Sequence, residues 1–304
     1  MDDPNRLSLD LVDEAIDFAD ELRIGVRHLE SEAAVLDFGV DNPGGIEAGV
    51  LLAELSTGGL ATVQAGLKDV DGAALPQVEL STDHPELVLA GCQAASWAVE
   101  ASGRETRVRG PGQLLREGAA VGLPVGTDEP DFAVLVVEAD RHPDDALAEA
   151  VASAASVPPS GVFLAVAPAA SVAGAVAAAA RAATAAVSRL DGLGYDLGAI
   201  RSASGAAPVA PTAASEPEAR ARSAGAVAYG AQVHLVLDAD VTAPERLVYG
   251  GSDGGRDPPP ERHKGAEGLE EVLAPAQATL DVVGGPTHVV GGVEQGLLAE
   301  QLGV

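Results

Sequence analysis

The chain has 304 residues, 47% of them hydrophobic, so it is long enough to bury a substantial core in one large domain or in two smaller ones. Its 46 acidic and 18 basic residues give a formal net charge of -28 at pH 7. This charge excludes nucleic acids and anionic membranes as partners, because both repel an acidic surface. Concentrated salt screens the self-repulsion of such a chain, so the composition indicates adaptation to a salt-rich interior.

The cysteine count, the N-terminal residues and the histidine spacing indicate the cellular compartment and exclude several kinds of site. Cys92 is the only cysteine, which excludes an internal disulfide and a cysteine-based zinc site and fits a reducing cytoplasm. The N-terminal residues resemble neither a signal peptide nor a transit peptide, and Arg181 interrupts the long Ala-rich stretch. We therefore expect a cytoplasmic protein without a membrane span. The 6 histidines show no metal-ligand spacing with one another, so no metal site is predicted.

The first third of the chain predicts short elements separated by glycine pairs. The elements are a helix at 7–22, strands at 35–39, 60–63 and 77–81, and an apolar element at 50–55. Gly44-Gly45 and Gly58-Gly59 bracket the apolar element. Thr82-Asp83-His84-Pro85 then leads into an apolar helix that we expect to continue through Trp97, because proline is favoured near a first helical turn.

Strands and helices alternate in the rest of the chain, which predicts an α/β layer in its middle. The elements predicted there are strands at 133–138 and 162–167, a helix at 144–155, and a long Ala-rich helix at 171–190. Gly192 and Gly194 are typical of the end of that helix. The remaining predictions are a loop at 206–217, an alternating strand at 227–237, a loop at 250–268, and a hairpin at 278–290 before a terminal helix.

Two polar motifs are candidates for function, and each has a structural alternative. Arg181 and Thr184 are three residues apart, so a continuous helix would place them on one face. An arginine among Ala and Val needs a carboxylate or a ligand as partner, because an unpaired buried guanidinium is costly, but solvated helix arginines are also common. Asp83-His84-Pro85 suits a ligand-facing turn, or simply a helix entry in which Asp caps and Pro opens the first turn.

Six segments, taken in chain order, carry a family resemblance. They are Gly44-Gly45-Ile46-Glu47-Ala48-Gly49 through Gly58-Gly59-Leu60-Ala61-Thr62-Val63; Thr82-Asp83-His84-Pro85 with Gln93 and Trp97; Ala167-Pro168-Ala169-Ala170-Ser171 with Gly174 and Arg181; Pro208-Val209-Ala210-Pro211; Tyr229-Gly230; and Ala274-Pro275-Ala276. Together they resemble the archaeal methenyltetrahydromethanopterin cyclohydrolases, here in a haloarchaeal version. The order and spacing hold over nearly the whole chain.

The resemblance implies both a fold and a reaction. The implied fold is α+β (mixed α/β), with two subdomains of sheet and helices and a cleft between them. We expect 1–85 plus 205–304 to form one subdomain and 86–204 the other. Family members hydrolyse the methenyl bridge between N5 and N10 of a reduced pterin C1 carrier to the N5-formyl form, without a metal or redox cofactor. The implied partners are therefore a small pterin substrate and further copies in a homo-oligomer.

The resemblance also implies site residues. Family members carry Arg-x-x-Glu on the helix that includes Arg181, where an arginine orients a carboxylate that holds the attacking water. Here the glutamate position is Thr184, and Glu138 and Glu47 are the acids that could substitute. The implied catalytic residues are thus Arg181, Thr184 and Glu138. The implied substrate-binding residues are Gly44, Gly45, Glu47, Gly58, Gly59, Asp83, His84 and Ser171.

Three further stretches differ from the family pattern. They are Arg109-Gly110-Pro111-Gly112-Gln113 in place of Gly-Ser-Gly-Pro-Ala-Arg, Ser223-Ala224-Gly225 in place of Thr-Asn-Asp, and the shorter stretch at 257–273, which lacks Tyr-Gly-Lys-Pro-Phe. The sequence leaves three hypotheses: a working cyclohydrolase of one-carbon metabolism, a catalytically weak paralogue that binds a reduced pterin, and a structural oligomer subunit. Tetrahydromethanopterin and tetrahydrofolate both remain possible carriers, since they share the reacting imidazoline ring.

Overall fold

The chain divides into two compact units in the computed structural model, which describes residues 3–94, 97–117, 119, 121, 131–248 and 273–304. The first unit joins Met1–Ala61 to Leu87–Ala177, and the second joins Thr62–Glu86 to Ala178–Val304. Each unit contains one six-stranded mixed sheet with helices, which confirms the expected mixed α and β class. The grouping differs from the expected one, in which 1–85 accompanied 205–304.

The sheet of the first unit has the strand order β1-β2-β8-β7-β6-β5. Its strands are β1 (Gly25–His28), β2 (Ala34–Asp37), β5 (Trp97–Ala101), β6 (Arg104–Arg109), β7 (Ala133–Glu138) and β8 (Val162–Ala167). The three central strands β2, β8 and β7 are parallel, whereas the other neighbours are antiparallel. Its helices are α1 (Pro4–Asp17), α2 (Ala19–Leu22), α3 (Ile46–Ser56) and α4 (Asp145–Ala155).

Both faces of this sheet are covered, which explains the continuous apolar runs of its central strands. Successive side chains of β7 alternate between the two faces. Leu135 and Val137 join one core cluster with residues of α4, whereas Val134 and Val136 join another with residues of α1 and α3. The strands at 133–138 and 162–167 and the helix after residue 144 were predicted from these runs, and the structure confirms them.

The sheet of the second unit has the strand order β12-β11-β10-β9-β4-β3. Its strands are β3 (Thr62–Val70), β4 (Ala73–Thr82), β9 (Ile200–Pro208), β10 (Gln232–Leu237), β11 (Gln277–Val282) and β12 (Thr287–Gly291). α5 (Val172–Ala179) carries the chain from the first unit into the second. The other helices of the second unit are α6 (Ala182–Gly192), α7 (Glu216–Gly230) and α8 (Gln295–Leu302). The antiparallel β11–β12 pair and α8 confirm the predicted hairpin and terminal helix.

The predicted helix through Trp97 is wrong beyond residue 93. A π-helix spans Glu86–Gln93, and Trp97 begins strand β5. Trp97 and Val99 are buried, whereas Ala98 and Glu100, which alternate with them, are exposed. This alternation has the period of a strand, and antiparallel pairing of β5 with β6 fixes it. The predicted helix was too long because the apolar residues continue past residue 93, where their spacing changes from that of a helix to that of a strand.

The predicted helix at 171–190 is broken at Arg181. α5 ends at Ala179 and α6 begins at Ala182, and the Arg181 backbone has φ -87 and ψ 9. Its N–H donates to the carbonyl oxygen of Ala178, the i−3 spacing of a tight 3₁₀ turn. Alanine favours helix throughout this stretch, so local propensity contains no signal for the break. Arg181 is consequently the residue that precedes α6.

Two predictions near residue 210 are also corrected. The expected loop at 206–217 begins later, because β9 continues to Pro208, and it ends where α7 starts at Glu216. The expected strand at 227–237 is helical as far as Gly230, and only Gln232–Leu237 is a strand. The predicted loop at 250–268 and the altered stretch at 257–273 lie almost wholly outside the described residues.

Within the described part of the chain, no helix has the length and apolarity that crossing a membrane requires.

Close packing of β9 against α6 gives the first prediction. A methyl group on Gly205 would lie 2.6 Å from the backbone nitrogen of Ala183, at the start of α6. Gly205→Ala should therefore lower the free energy of unfolding by about 1–3 kcal/mol, measured by thermal or urea unfolding in molar potassium chloride. Gly66→Ala on β3 is the matched control, since a methyl group there meets nothing within 4 Å. Equal unfolding midpoints for the two variants would contradict this packing.

Candidate active site

The carboxyl ends of β2, β8 and β7 meet at one edge of the first unit's sheet. Asp37 at the end of β2 is in register with Val166 of β8, and Glu138 at the end of β7 is in register with Ala167. In open α/β sheets, ligands bind beyond the carboxyl ends of parallel strands. We call this edge the carboxyl edge. It contains Asp37, Glu138 and the segments that directly follow the three strands.

Asp37 organises the loop that follows β2. Its carboxylate is buried, and one oxygen accepts the N–H groups of Gly39 at 2.9 Å and Val40 at 2.6 Å. The other oxygen accepts from the backbone of Asp41 at 2.8 Å and from the backbone and side-chain nitrogens of Asn42 at 3.1 and 2.9 Å. Burial raises the pKa of Asp37, but these hydrogen bonds outweigh burial and hold the pKa below its ordinary value.

His142, in the segment after β7, contacts the same loop. Its Nε2 atom lies 2.8 Å from Oδ2 of Asp41 and 3.8 Å from Oδ2 of Asp37. These three side chains are close enough to ligate one metal ion, a group that histidine spacing along the sequence could not reveal. The five hydrogen bonds to Asp37 account for its position without an ion, and a cation would have to displace some of those donors. The absence of a metal site stays a prediction.

The glycine block before α3 permits a sharp entry into that helix. Gly44 has φ +57, and a Cβ there would collide with the carbonyl oxygen of Phe38, so only glycine fits. Gly45 precedes the first residue of α3, and no side chain caps the helix there. Glu47 lies in the first turn and is exposed. Of these three predicted residues, Glu47 presents a functional side chain to solvent.

Gly58, Gly59 and Ser171 have packing roles. Gly58 and Gly59 follow α3 with φ +69 and +66, and a Cβ on Gly58 would lie 2.6 Å from Cβ of Pro4. Ser171 caps α5, because its hydroxyl donates to the carbonyl oxygen of Pro168 at 2.7 Å and accepts from the N–H of Gly174 at 3.0 Å. The glycines therefore let the turn approach α1, and the serine starts α5 at the carboxyl edge.

Glu138 is paired with an arginine that the sequence did not identify as functional. Nη2 of Arg109 lies 4.0 Å from Oε2 of Glu138. The Arg109 side chain is 8% exposed and that of Glu138 is 25% exposed, so of the two only Glu138 is open to solvent. Arg109 belongs to β6 and is in register with Val136 of β7. The residues around Arg109 do not predict this cross-strand pairing. In the sequence, Arg109 is noted only as part of a stretch that differs from the family pattern.

The other predicted residues belong to the second unit. Arg181 and Thr184 lie at the start of α6; the Nε atom of Arg181 is buried, and Thr184 is 6% exposed. Asp83 and His84 follow β4 and are exposed, and the N–H of His84 donates to Oγ1 of Thr82 at 3.1 Å. The structure thus groups Glu138 and Ser171 at the carboxyl edge of one unit, and Arg181 and Thr184 on one turn of the other.

Comparison of the sequence with known protein families shows which family the chain belongs to. The sequence model of the family described as Cyclohydrolase (MCH) matches residues 4–249. The chain belongs to this cyclohydrolase family. The match covers the described strands and helices of the first unit and those of the second unit as far as the segment after β10. It confirms the family resemblance that the six sequence segments suggested.

Individual relatives agree with the assignment. The chain is 42% identical to a methenyltetrahydromethanopterin cyclohydrolase of Halobacterium salinarum over 315 aligned positions, which cover 100% of both chains. It is 32% identical to the enzyme of that name from Methanocaldococcus jannaschii, over 78% of this chain and 75% of the relative. It is 31% identical to the one from Methanococcoides burtonii, over 77% of this chain and 74% of the relative.

The hydrogen bonds of Asp37 give a prediction about pH. A lowered pKa in the folded state contributes stability that is present above the unfolded value of about 3.9 and is lost as pH falls through the folded value. Asp37→Asn should cost about 1–3 kcal/mol at neutral pH, because buried N–H donors lose a charged acceptor. The difference from wild type should shrink toward about pH 3, as measured by chemical unfolding in molar potassium chloride.

The control for this prediction is Asp13→Asn, which removes the same charge from an exposed position on α1. That variant should unfold like the wild type at each pH. A destabilisation by Asp37→Asn that stays constant from neutral to acid pH would contradict the role given to the ionised carboxylate.

Proposed function

We propose that this chain hydrolyses the methenyl bridge of 5,10-methenyltetrahydromethanopterin to the N5-formyl carrier, in one-carbon metabolism. The observation that carries the proposal is the 42% identity over the full length to the Halobacterium salinarum protein of that name. The names of the relatives favour tetrahydromethanopterin as the carrier. The reacting ring also occurs in methenyltetrahydrofolate, so the test includes both carriers.

The reaction requires few catalytic groups from the protein. The oxygen of water forms a bond to the cationic methenyl carbon, and the bond from that carbon to N10 then breaks. One proton of the water reaches N10 and the other leaves to solvent, which balances the loss of the substrate's positive charge. A carboxylate beside the carbon can hold the water and accept its proton, and an arginine can fix the direction of the carboxylate. This chemistry needs neither a redox cofactor nor a metal.

We assign roles to the residues on this basis. In the second unit, we assign Arg181 to orient water and the Thr184 hydroxyl to hold water, since a threonine cannot act as a base near neutral pH. Glu138 supplies the carboxylate, because it ends a central strand at the carboxyl edge and is partly open to solvent. Exposed Glu47 contacts the substrate, and the assignment of exposed Asp83 and His84 to substrate binding stays a prediction. The packing residues Gly44, Gly45, Gly58, Gly59 and Ser171 shape its binding surface.

Two broader expectations accompany this proposal. Concentrated salt screens the self-repulsion of a chain with a net charge of -28, so activity should be measured in molar potassium chloride. A cytoplasmic location and a homo-oligomeric assembly, which family members commonly form, stay predictions. Sedimentation in the same salt would test the assembly.

The test of the function is turnover. Purified protein in molar potassium chloride should accelerate the loss of methenyl absorbance from methenyltetrahydromethanopterin. Arg181→Ala should lower kcat by about 10²–10³, because an oriented cationic donor is lost. Arg189→Ala on the same helix is the control, since Arg189 donates to the carbonyl oxygen of Arg246 at the protein surface, and it should keep its rate.

Two results would overturn parts of this proposal. No acceleration over buffer with either carrier, while equilibrium binding of the carrier persists, would replace the hydrolase with a pterin-binding paralogue. Turnover of methenyltetrahydrofolate alone would keep the hydrolase and change its carrier. Full activity of Arg181→Ala would remove Arg181 from the machinery.

A further inference from the structure

The geometry points to Arg109 as the positioning residue that fixes the Glu138 carboxylate for catalysis, an inference that rests on the role of Glu138 in the proposed function. The arginine and the glutamate come from neighbouring antiparallel strands, β6 and β7. Their closest charged atoms are 4.0 Å apart. Neither the family match nor the relatives' names assign a role to Arg109.

Both side chains project from the same face of the first unit's sheet. Val134 and Val136 of β7 pack in the cluster that contains residues of α1 and α3, and strand alternation puts Glu138 on that face. On β6, Val108 packs in the opposite cluster with α4, so Arg109 also faces α1 and α3. The predicted glycine block Gly44-Gly45 opens α3 on this same face. The pair therefore lies on the side of the sheet where the sequence-predicted binding segment begins.

The burial of the two side chains separates their roles. Glu138 is 25% exposed, so water or a ligand can reach its carboxylate. Arg109 is 8% exposed, so its effect on a ligand is exerted through Glu138. A cation at this distance favours the ionised carboxylate, which is the form that accepts a proton from water.

A purely stabilising role explains this pair less well. Replacing a buried ion pair with apolar residues is often neutral or stabilising, because taking both charges out of water is costly. Here a guanidinium is buried next to a carboxylate that stays partly exposed at the end of a parallel strand. At 4.0 Å the arginine acts on the carboxylate through its charge, and arginine keeps that charge when buried, whereas the pKa of a buried lysine shifts readily.

A double-mutant cycle in kcat tests the inference. Glu138→Gln should lower kcat by about 10²–10⁴, because the base is lost. Arg109→Ala should lower kcat by roughly 10–100-fold, with KM changed less than about threefold, and Arg109→Lys should lose less than Arg109→Ala. In the Glu138→Gln background, Arg109→Ala should change kcat by less than about threefold, since it acts through the missing carboxylate. Arg104→Ala, at an exposed position on the same strand, should keep its kcat.

The outcomes distinguish the inference from the proposed function. The role of Arg109 alone would be overturned if the two losses in kcat multiplied in the Arg109→Ala, Glu138→Gln double variant. It would also be overturned if Arg109→Ala kept the wild-type kcat. If Arg109→Ala does not fold, the kcat of Arg109→Lys decides, and an undiminished value overturns the inference. Full activity of Glu138→Gln would remove Glu138 from catalysis and the inference with it. No turnover by the wild type would overturn both.

Discussion

The parallel pairing of β2, β8 and β7 is the constraint on which the first unit depends. It brings three carboxyl ends to one edge and places the segments after them side by side. Asp37 closes the loop after β2, Ser171 starts α5 after β8, and Glu138 ends β7. None of these residues is near another in sequence. The sheet alone brings them together.

The buried carboxylate of Asp37 determines the conformation of the loop that follows β2. A loop at a sheet edge exposes backbone N–H groups that need acceptors, and one ionised carboxylate satisfies those of residues 39–42. The loop then leads directly into Gly44, whose conformation excludes other residues. The position of α3 and of its first turn thus follows from one acidic residue and one glycine.

The elements that the sequence predicted well are those with an unbroken pattern. The apolar runs at 133–138 and 162–167 have the length and composition of buried parallel strands, and both were predicted with their observed bounds. The break at Arg181 could not be predicted, because alanine on either side favours helix equally and the contacts of α6 with β9 are long-range. Trp97 was misassigned because an apolar helix and an alternating strand adjoin there without a glycine or proline between them.

The candidate site was predictable only in part. Family resemblance pointed to Glu138, Arg181 and the glycine blocks, and the match to the cyclohydrolase family confirms the family itself. The pairing of Arg109 with Glu138 could not be predicted, since it depends on the register of β6 against β7. Likewise, Asp37 lies in the middle of the strand predicted at 35–39, and its hydrogen-bond partners became apparent only in the folded loop.

The central claim is that the reduced pterin binds at the carboxyl edge of the first unit's sheet. Hydrogen–deuterium exchange in molar potassium chloride, with and without a saturating N5-formyl carrier, tests it most directly. The account predicts that bound carrier slows exchange at residues 38–47, 138–142 and 168–174, relative to the β11–β12 hairpin. Binding that leaves exchange in these three segments unchanged would contradict it.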